Sequence, residues 1–343
     1  MQTFVRAFVA ATVLASATTM FAQQPTISHG QVTVEAADRG LGAALEKQKQ
    51  QKDPVWVGYS VPAISKFSSG WNSERVDYLE GKSDSIVNDS DGSSHAVDHA
   101  VILLRIADGA VMKVRVESPE RELDAGGLRF VWLNGVTEED SVRVLTDLAR
   151  QGDVRRVRDS AVFAISIHPS NSATTALISL AAANNDLGLR EKAAFWLANQ
   201  RGHDGFVAIQ KLARDDSDAK FREKLTFDLT LSKEPEALNE IIRMAHDDAS
   251  PQVRKQAQFW MATKGGKKVS QDLQTIATND PNEQIRKSAV FALSRLPGDE
   301  AATQLIAVAN ASKDPAVRRQ AVFWLGQSND PRALEYLTKL LKQ

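Results

Sequence analysis

From residue 139 to the end of the chain, apolar residues follow the three- and four-residue spacing of amphipathic helices, in paired segments. The segment Glu236–Asp248 (EALNEIIRMAHDD) has Leu238, Ile241 and Ile242 on one face, and Pro251–Lys264 (PQVRKQAQFWMATK) repeats the spacing. The turns combine an N-capping acidic residue with proline at the first helical position: Asp280-Pro281, Asp314-Pro315 and Asp330-Pro331. This pattern predicts pairs of helices joined by short turns.

The helix pairs repeat with a period of 32 residues. Six phenylalanines occupy one register without an insertion, and six arginines occupy the register five residues earlier: Phe163, Phe195, Phe227, Phe259, Phe291 and Phe323, and Arg158, Arg190, Arg222, Arg254, Arg286 and Arg318. Helix pairs that recur at a fixed period stack into a solenoid. We therefore predict a mainly α protein, with a six-pair α-solenoid at residues 139–343. Its last segment, Pro331–Gln343, is predicted to be a capping helix with a polar end formed by Lys339, Lys342 and Gln343.

The segments VRRQAVFWLG, IRKSAVFALS and VRKQAQFWMA resemble the second helices of HEAT repeats of the short-period kind. The resemblance implies a binding scaffold in which an aspartate before each second helix bonds to an arginine near its start, between neighbouring repeats. The matching aspartates precede Arg222, Arg254 and Arg286 by six residues: Asp216, Asp248 and Asp280. The other repeats have Gly152, Asn184 and Ser312 there, which leaves that pairing open. The arrangement also resembles exported bacterial HEAT-repeat proteins with a small N-terminal region.

Each second helix offers two positions for a large ring, and the two point in different directions. On a helical wheel of about 100° per residue, Trp324 shares the core face with Val317 and Leu325, whereas Phe323 points toward the next repeat and the open side. The six phenylalanines then fill gaps between repeats, form an apolar stripe for a partner, or do both. The Trp324 register alternates large and small residues except at Asp228, for which the pattern offers no reason.

The position four residues before each phenylalanine is charged in every repeat and faces outward on the same wheel. It is acidic in the first three repeats and basic in the last three: Asp159, Glu191, Glu223, Lys255, Lys287 and Arg319. The alternative reading is ordinary solvated charge. Because electrostatic complementarity sets the orientation of a partner, the split predicts a groove that orients an elongated protein or peptide.

Residues 23–138 lack the repeat and predict a small β-rich region that packs on or caps the first repeat. The expected elements are a helix at Asp38–Gln51, strands at Val55–Val61 and Leu128–Leu133, a hairpin at Val101–Val116 with Asp108-Gly109 in its turn, a turn at Glu122–Gly127 and a polar loop at Glu80–Ser94. Metal motifs are weak. His95 and His99 have no third ligand, and NDSDGS (Asn88–Ser93) lacks the acidic residues that open and close a calcium loop.

The remaining features limit the function. No GxSxG, HExxH or phosphate-binding glycine loop is present, so we predict no catalytic residue, no metal and no cofactor. With 42 basic against 43 acidic residues, nucleic acid is not an expected partner. Residues 1–22 have one charge, Arg6, before an apolar stretch, which predicts a signal peptide cleaved after Ala22 or Ala17. The absence of cysteine excludes disulfides and a lipidated cysteine.

Together these features predict a periplasmic or secreted protein-binding scaffold with no membrane span in the mature chain. Two alternatives remain open. Short HEAT repeats also occur in bilin lyases, so a small-molecule-binding protein or lyase is one alternative. A self-associating structural module, with its groove filled by its own N-terminal region or by another copy, is the other.

Overall fold

The computed structural model describes residues 24–67, 76–80, 97–151 and 154–342. The predicted signal peptide, the calcium-like NDSDGS segment, His95 and nearly all of the polar loop of residues 80–94 lie outside the described residues. Within them, the N-terminal region comprises β1 (Ile27–Ser28), β2 (Gln31–Ala36), α1 (Leu41–Lys49), β3 (Val55–Phe67), β4 (Val76–Tyr78), β5 (Val97–Ala107), β6 (Ala110–Glu117), β7 (Glu122–Asp124) and β8 (Arg129–Asn134).

Five strands form the main sheet, in the order β2-β8-β3-β5-β6. Strand β8 runs parallel to β2 and β3, whereas β5 is antiparallel to β3 and β6. The β5–β6 hairpin turns at Asp108 and Gly109, whose φ angles of 52° and 73° are typical of a type I′ turn. The hairpin expected from the alternation of apolar residues is therefore present.

The segment Glu122–Gly127, which the sequence predicted to be only a turn, begins with a strand. Strand β7 is the centre of a second, three-stranded sheet in the order β1-β7-β4, with both pairs parallel. Leu123 pairs with Ile27 on one side and with Asp77 on the other, and its side chain is fully buried. The turn prediction was incomplete because these partners come from distant parts of the chain.

The rest of the described chain is helical and confirms the predicted α-solenoid. The helices are α2 (Glu138–Gln151), α3 (Arg155–Ser166), α4 (Asn171–Leu180), α5 (Leu187–Gln200), α6 (Gly202–Asp215), α7 (Ala219–Leu231), α8 (Glu236–Asp247), α9 (Pro251–Gly265), α10 (Ser270–Asn279), α11 (Glu283–Ser294), α12 (Glu300–Ala311), α13 (Pro315–Gly326) and α14 (Pro331–Leu341). A short 3₁₀ turn, Gly266–Val269, links α9 to α10. Among the described residues, no helix is both long and apolar enough to cross a bilayer.

Even-numbered helices α2–α12 are the first helices of six pairs, and odd-numbered helices α3–α13 are the second. Each first helix packs on its own second helix, and successive second helices pack on one another, as α7, α9 and α11 do. Val317, Ala321 and Leu325 of α13 are buried, which places the core face where the helical wheel predicted it. The open side of the second helices therefore forms one continuous surface along the solenoid.

The main sheet is joined to the first repeats by backbone and side-chain contacts. The backbone N–H of Ile64 in β3 donates to the carbonyl of Ile167 at 2.8 Å. The hydroxyls of Tyr59 and Ser141 lie 2.9 Å apart, and Ser141 Oγ lies 3.0 Å from His168 Nε2. All three side chains are buried, and burial lowers the pKa of His168 to about 4 because it disfavours the imidazolium. The buried network has the composition of part of a catalytic triad, but its position between layers makes it structural.

Of the three predicted helix caps, two are present and one differs from the structure. Asp314 and Asp330 cap α13 and α14, accepting from the backbone N–H of Ala316 and Arg332. Asp280 is not an N-cap, because Asn282 caps α11 by accepting from the backbone N–H of Gln284 at 2.8 Å. The Asp280 carboxylate instead accepts from the backbone N–H of Asn282 at 2.8 Å and closes the loop between the helices.

The C-terminal segment forms the predicted last helix, α14, and its exposed surface carries Glu335, Lys339 and Lys342. The same helix also exposes Leu334, Leu340 and Leu341, with 70%, 43% and 89% of their surface accessible, which the sequence analysis did not predict. The terminal helix leaves an apolar face open.

Candidate functional site

The aromatic side chains of the second helices form a row along the solenoid, here called the aromatic row. It comprises nine rings: Phe163, Phe195, Phe227, Phe259, Phe291, Phe323, Trp196, Trp260 and Trp324. Each tryptophan contacts the phenylalanine before it on its own helix and the phenylalanine of the preceding repeat. Trp260, for example, lies 4.8 Å from Phe259 and 5.0 Å from Phe227 between ring centroids. These distances are within the range of favourable aromatic pairs.

Trp324 was predicted to face the core and pack against the first helix of its pair, and this prediction was wrong in part. Its ring is only half-buried, and it contacts Phe291 and Phe323 at 5.3 and 5.1 Å. The wheel of a single helix placed it correctly beside the core face but could not show that the large indole bridges two second helices.

The phenylalanines are both packed and displayed. Phe163, Phe195, Phe259 and Phe291 are half-buried, whereas Phe227 is 36% and Phe323 is 54% exposed. Phe259 and Phe291 also stack directly on each other, with centroids 6.4 Å apart and planes 10° from parallel. The sequence left packing and display open, and in the structure each ring does both.

Asp228 interrupts the aromatic row. It occupies the tryptophan register in α7, between Phe195 and Phe227, and no contact joins these two rings among the described residues. Its side chain is 4% exposed and forms no hydrogen bond or ion pair with another described residue. Burial and the charge of Glu191 raise the pKa of its carboxyl to about 8, partly offset by Lys224. At neutral pH this carboxyl is therefore protonated.

One turn before the aromatic row lies the charge row, defined as Asp159, Glu191, Glu223, Lys255, Lys287 and Arg319. Four of its members are half-buried, and Lys255 and Arg319 are exposed. Asp159 lies 3.6 Å from Lys192 of the next repeat, and Lys287 lies 2.6 Å from Glu283 on its own helix. The other four form no ion pair within 4 Å with a described residue.

The sequence reasoning missed two lysines that reduce the acidic character of the first half. Lys192 and Lys224 occupy the register immediately after the charge row, where later repeats have Gln256, Ser288 and Gln320. The same 32-residue step, applied to this neighbouring register, would have found them. The acidic half is therefore mixed, whereas the basic half keeps an excess of positive charge.

The arginines join neighbouring repeats through aspartates. Arg222 binds both carboxylate oxygens of Asp248 in the following repeat, at 2.9 Å each, and donates to the backbone carbonyl of Asp216 at 2.7 Å. Arg190 contacts one carboxylate oxygen of Asp216 and donates to the backbone carbonyl of Ala181 at 3.2 Å, while Arg254 lies 3.7 Å from Asp280.

Where the register lacks an aspartate, one two residues later takes its place. Arg158 pairs with Asp186 instead of Asn184, and Arg286 donates to Asp314 at 2.5 Å instead of Ser312. Arg318 has only a backbone partner, the carbonyl of Ser312 at 3.0 Å, among the described residues. The six arginines thus share one structural position but not one set of partners.

The metal candidates of the N-terminal region gain no ligands in the described structure. His99 lies on β5 with its Nδ1 2.9 Å from Asp98. Within residues 24–67, 76–80, 97–151 and 154–342, no group of three or more His, Asp or Glu side chains could hold a metal ion.

Comparisons with known proteins agree with this architecture. A family profile of HEAT repeats matches residues 206–294 and 270–343. Similar solved structures include human deoxyhypusine hydroxylase, with 15% identity, coverage of 59% of this chain and 90% of that chain, and a TM-score of 0.32. The Escherichia coli protein YibA has 19% identity, coverage of 60% and 79%, and a TM-score of 0.37.

The CpcE–CpcF complex of phycocyanin lyase from Nostoc is also similar, with 18% identity, coverage of 59% and 80%, and a TM-score of 0.32. No curated protein sequence matches the chain. Identities and TM-scores this low say nothing of a shared ligand or reaction. Residues 206–343 are therefore HEAT repeats, and they make up most of the α-solenoid described above.

Proposed function

We propose that this protein is a scaffold that binds an extended protein or peptide partner along the open surface of its second helices. The observation that carries the proposal is the aromatic row, whose six phenylalanines recur in one register and all remain partly exposed. A row of exposed rings is costly in water unless it meets apolar groups of a partner. Aromatic side chains are also enriched among the residues that dominate binding energies at protein interfaces.

The charge row gives the surface a direction. Lys255, Lys287 and Arg319 lie together on the last three second helices, where the adjacent register is uncharged. Acidic side chains of a partner would therefore lie toward the C-terminal repeats. The first three repeats offer Glu191 and Glu223, whose carboxylates suit a basic side chain of the partner.

We also propose that the protein acts outside the cytoplasm, in the periplasm or after secretion. The support is the layout of residues 1–22, with one charge before an apolar stretch that ends in small residues. N-terminal sequencing of the protein purified from the envelope fraction tests this: a mature chain beginning at Thr18 or Gln23 is the expected result. A full-length chain in the cytoplasmic fraction would contradict it.

The binding proposal is tested by selecting peptides from a random library on the mature protein and measuring their affinity for variants. Phe227→Ser and Phe323→Ser remove the two most exposed rings of the row. Each should weaken binding of the selected peptides about tenfold or more, because each removes a central apolar contact. Peptides with a basic and an acidic end should also lose affinity for Lys255→Glu/Lys287→Glu.

Ile178→Ser and Val207→Ser are matched controls. These side chains are 43% and 47% exposed, similar to the two phenylalanines, but lie on the first helices α4 and α6. Their affinities should equal those of the unmodified protein, and melting curves should show all four variants folded. Selected peptides that bind the phenylalanine variants normally, or lose affinity only for the controls, would refute the proposed surface.

A further inference from the structure

The open face of α14 matches a face that every upstream repeat covers. One period earlier, Ala302, Val308 and Ala309 of α12 hold the positions of Leu334, Leu340 and Leu341, and they are 1%, 0% and 7% exposed. Helix α12 is covered by α13 and α14. Helix α14 packs on α12 and α13, and among the described residues nothing covers its other side. The leucines are therefore exposed at positions that are covered in the preceding repeat.

Two contacts that upstream second helices make with the following repeat are not seen for α13 among the described residues. Phe291 meets the tryptophan of the following repeat, Trp324, whereas Phe323 meets only Trp324 of its own helix and is the most exposed ring of the row. Arg318, unlike the five upstream arginines, has no carboxylate within 4 Å among the described residues. Phe323 shares the lack of a ring from the following repeat with Phe195, whose following repeat has Asp228 in the tryptophan register, whereas the open apolar side of α14 and the unpaired guanidinium of Arg318 occur together only here among the described residues.

We propose that this end of the solenoid, the terminal face, binds a second copy of the same chain through an antiparallel pairing of two α14 helices. The terminal face is defined here by Leu334 and Leu341, with Leu340 about 120° around the helix from Leu334. Leu334 and Leu341 are seven residues, or about two turns, apart and so lie on the same side of the helix. In an antiparallel pair about a two-fold axis, Leu334 of each copy meets Leu341 of the other, and the contact closes on itself.

The charges of α14 favour this orientation over a parallel one. Glu335 lies near the start of the helix, and Lys339 and Lys342 lie near its end. An antiparallel pair brings Glu335 of each copy beside the lysines of the other, whereas a parallel pair places like charges side by side. Glu335 and Lys339 already form an exposed ion pair within one helix, 2.6 Å apart, so the pairing redistributes existing contacts.

The size of the terminal face predicts a weak dimer. Three partly exposed leucines per copy cover less area than a standard stable interface requires. We therefore expect a monomer–dimer equilibrium with a dissociation constant in the micromolar range, which makes the association visible only in concentrated solution.

Sedimentation velocity of the mature protein over a concentration series tests the proposal. The expected result is a shift from monomer to dimer as concentration rises, and loss of the dimer in Leu334→Lys/Leu341→Lys. Both side chains are at least 70% exposed, so the variant should fold normally by circular dichroism. Ile178→Lys/Val207→Lys, which changes exposed apolar residues on first helices, should dimerise like the unmodified protein.

A charge exchange tests the antiparallel arrangement. Glu335→Lys alone and Lys339→Glu/Lys342→Glu alone should each dimerise about tenfold more weakly, and a mixture of the two should form a heterodimer. A protein that stays monomeric at the highest concentration overturns the proposal. So does a dimer that survives Leu334→Lys/Leu341→Lys, because its interface would lie elsewhere.

Discussion

Asp228 allows a quantitative test of the protonation that the fold imposes. Its folded-state pKa of about 8 lies well above its ordinary value of 3.8, because burial and Glu191 disfavour the carboxylate. A raised folded-state pKa means that the stability of the wild type is complete below pH 3.8 and falls as the pH rises toward 8. At pH 7, about three units above the unfolded-state pKa, the protonation that folding imposes on Asp228 lowers the stability by about 4 kcal/mol, at 1.36 kcal/mol per unit.

The perturbation is Asp228→Asn, which keeps the shape of the side chain but cannot ionise. The variant should be more stable than the wild type by about 4 kcal/mol at pH 7, and by less than about 1 kcal/mol at pH 4. Urea denaturation of both proteins from pH 4 to pH 9, followed by tryptophan fluorescence, measures the difference. Between pH 4 and 8 the gap should widen, and above pH 8 it should level off.

Two controls separate this effect from a general change of charge. Asp159→Asn removes a negative charge from a half-buried position near Lys192 and controls for the change in net charge. Glu191→Gln removes a charge that raises the pKa of Asp228, so this pKa should fall. The Glu191→Gln protein should therefore lose less stability than the wild type as the pH rises. A constant stability difference between wild type and Asp228→Asn over the whole range would refute the reasoning, since Asp228 would then be ionised in the folded state.

Two further predictions concern the contact between the sheet and the first repeats and the arginine contacts between repeats. His168 has a folded-state pKa of about 4 against 6.5 in the unfolded chain, so the stability that its neutral imidazole contributes is present above pH 6.5 and is lost as the pH falls through 4. Urea denaturation should show that the wild type loses about 3 kcal/mol of stability between these pH values and that His168→Gln does not. Arg222→Lys breaks the two hydrogen bonds to Asp248 and should lower the stability by about 2 kcal/mol. Arg318→Lys, which removes only a bond to a backbone carbonyl, should change the stability by less than about 0.5 kcal/mol. Equal shifts of the urea midpoints of the two variants would contradict these roles.

The period carried most of the information that the sequence holds about this fold. Because every repeat must present the same face to the same neighbour, one step of 32 residues located the core face, the aromatic row and the charge row together. The same logic identified Asp228 as an exception, although only the structure showed that its carboxyl is buried with no hydrogen-bond partner among the described residues.

Features that depend on a second element were harder to predict. A single-helix wheel could not show that Trp324 bridges two helices, and local patterns could not show that Leu123 lies between two strands from elsewhere in the chain. The arginine partners changed because a long guanidinium side chain reaches either of two aspartate positions, as Arg158 and Arg286 do. The polar lysines of α14 suggested a cap, but the side that the leucines occupy depends on what the neighbouring helices cover.

The most direct test of the central claim is site-specific photocrosslinking in the source cell. Benzoylphenylalanine is placed at Phe227 or Phe323 on the aromatic row, and at Ile178 or Val207 on the first helices, four side chains of similar exposure. The account predicts the same discrete crosslinked partner at Phe227 and Phe323 and none at Ile178 or Val207. A partner crosslinked only from the first-helix positions, or no crosslink from any position, would contradict a binding role for the second-helix surface.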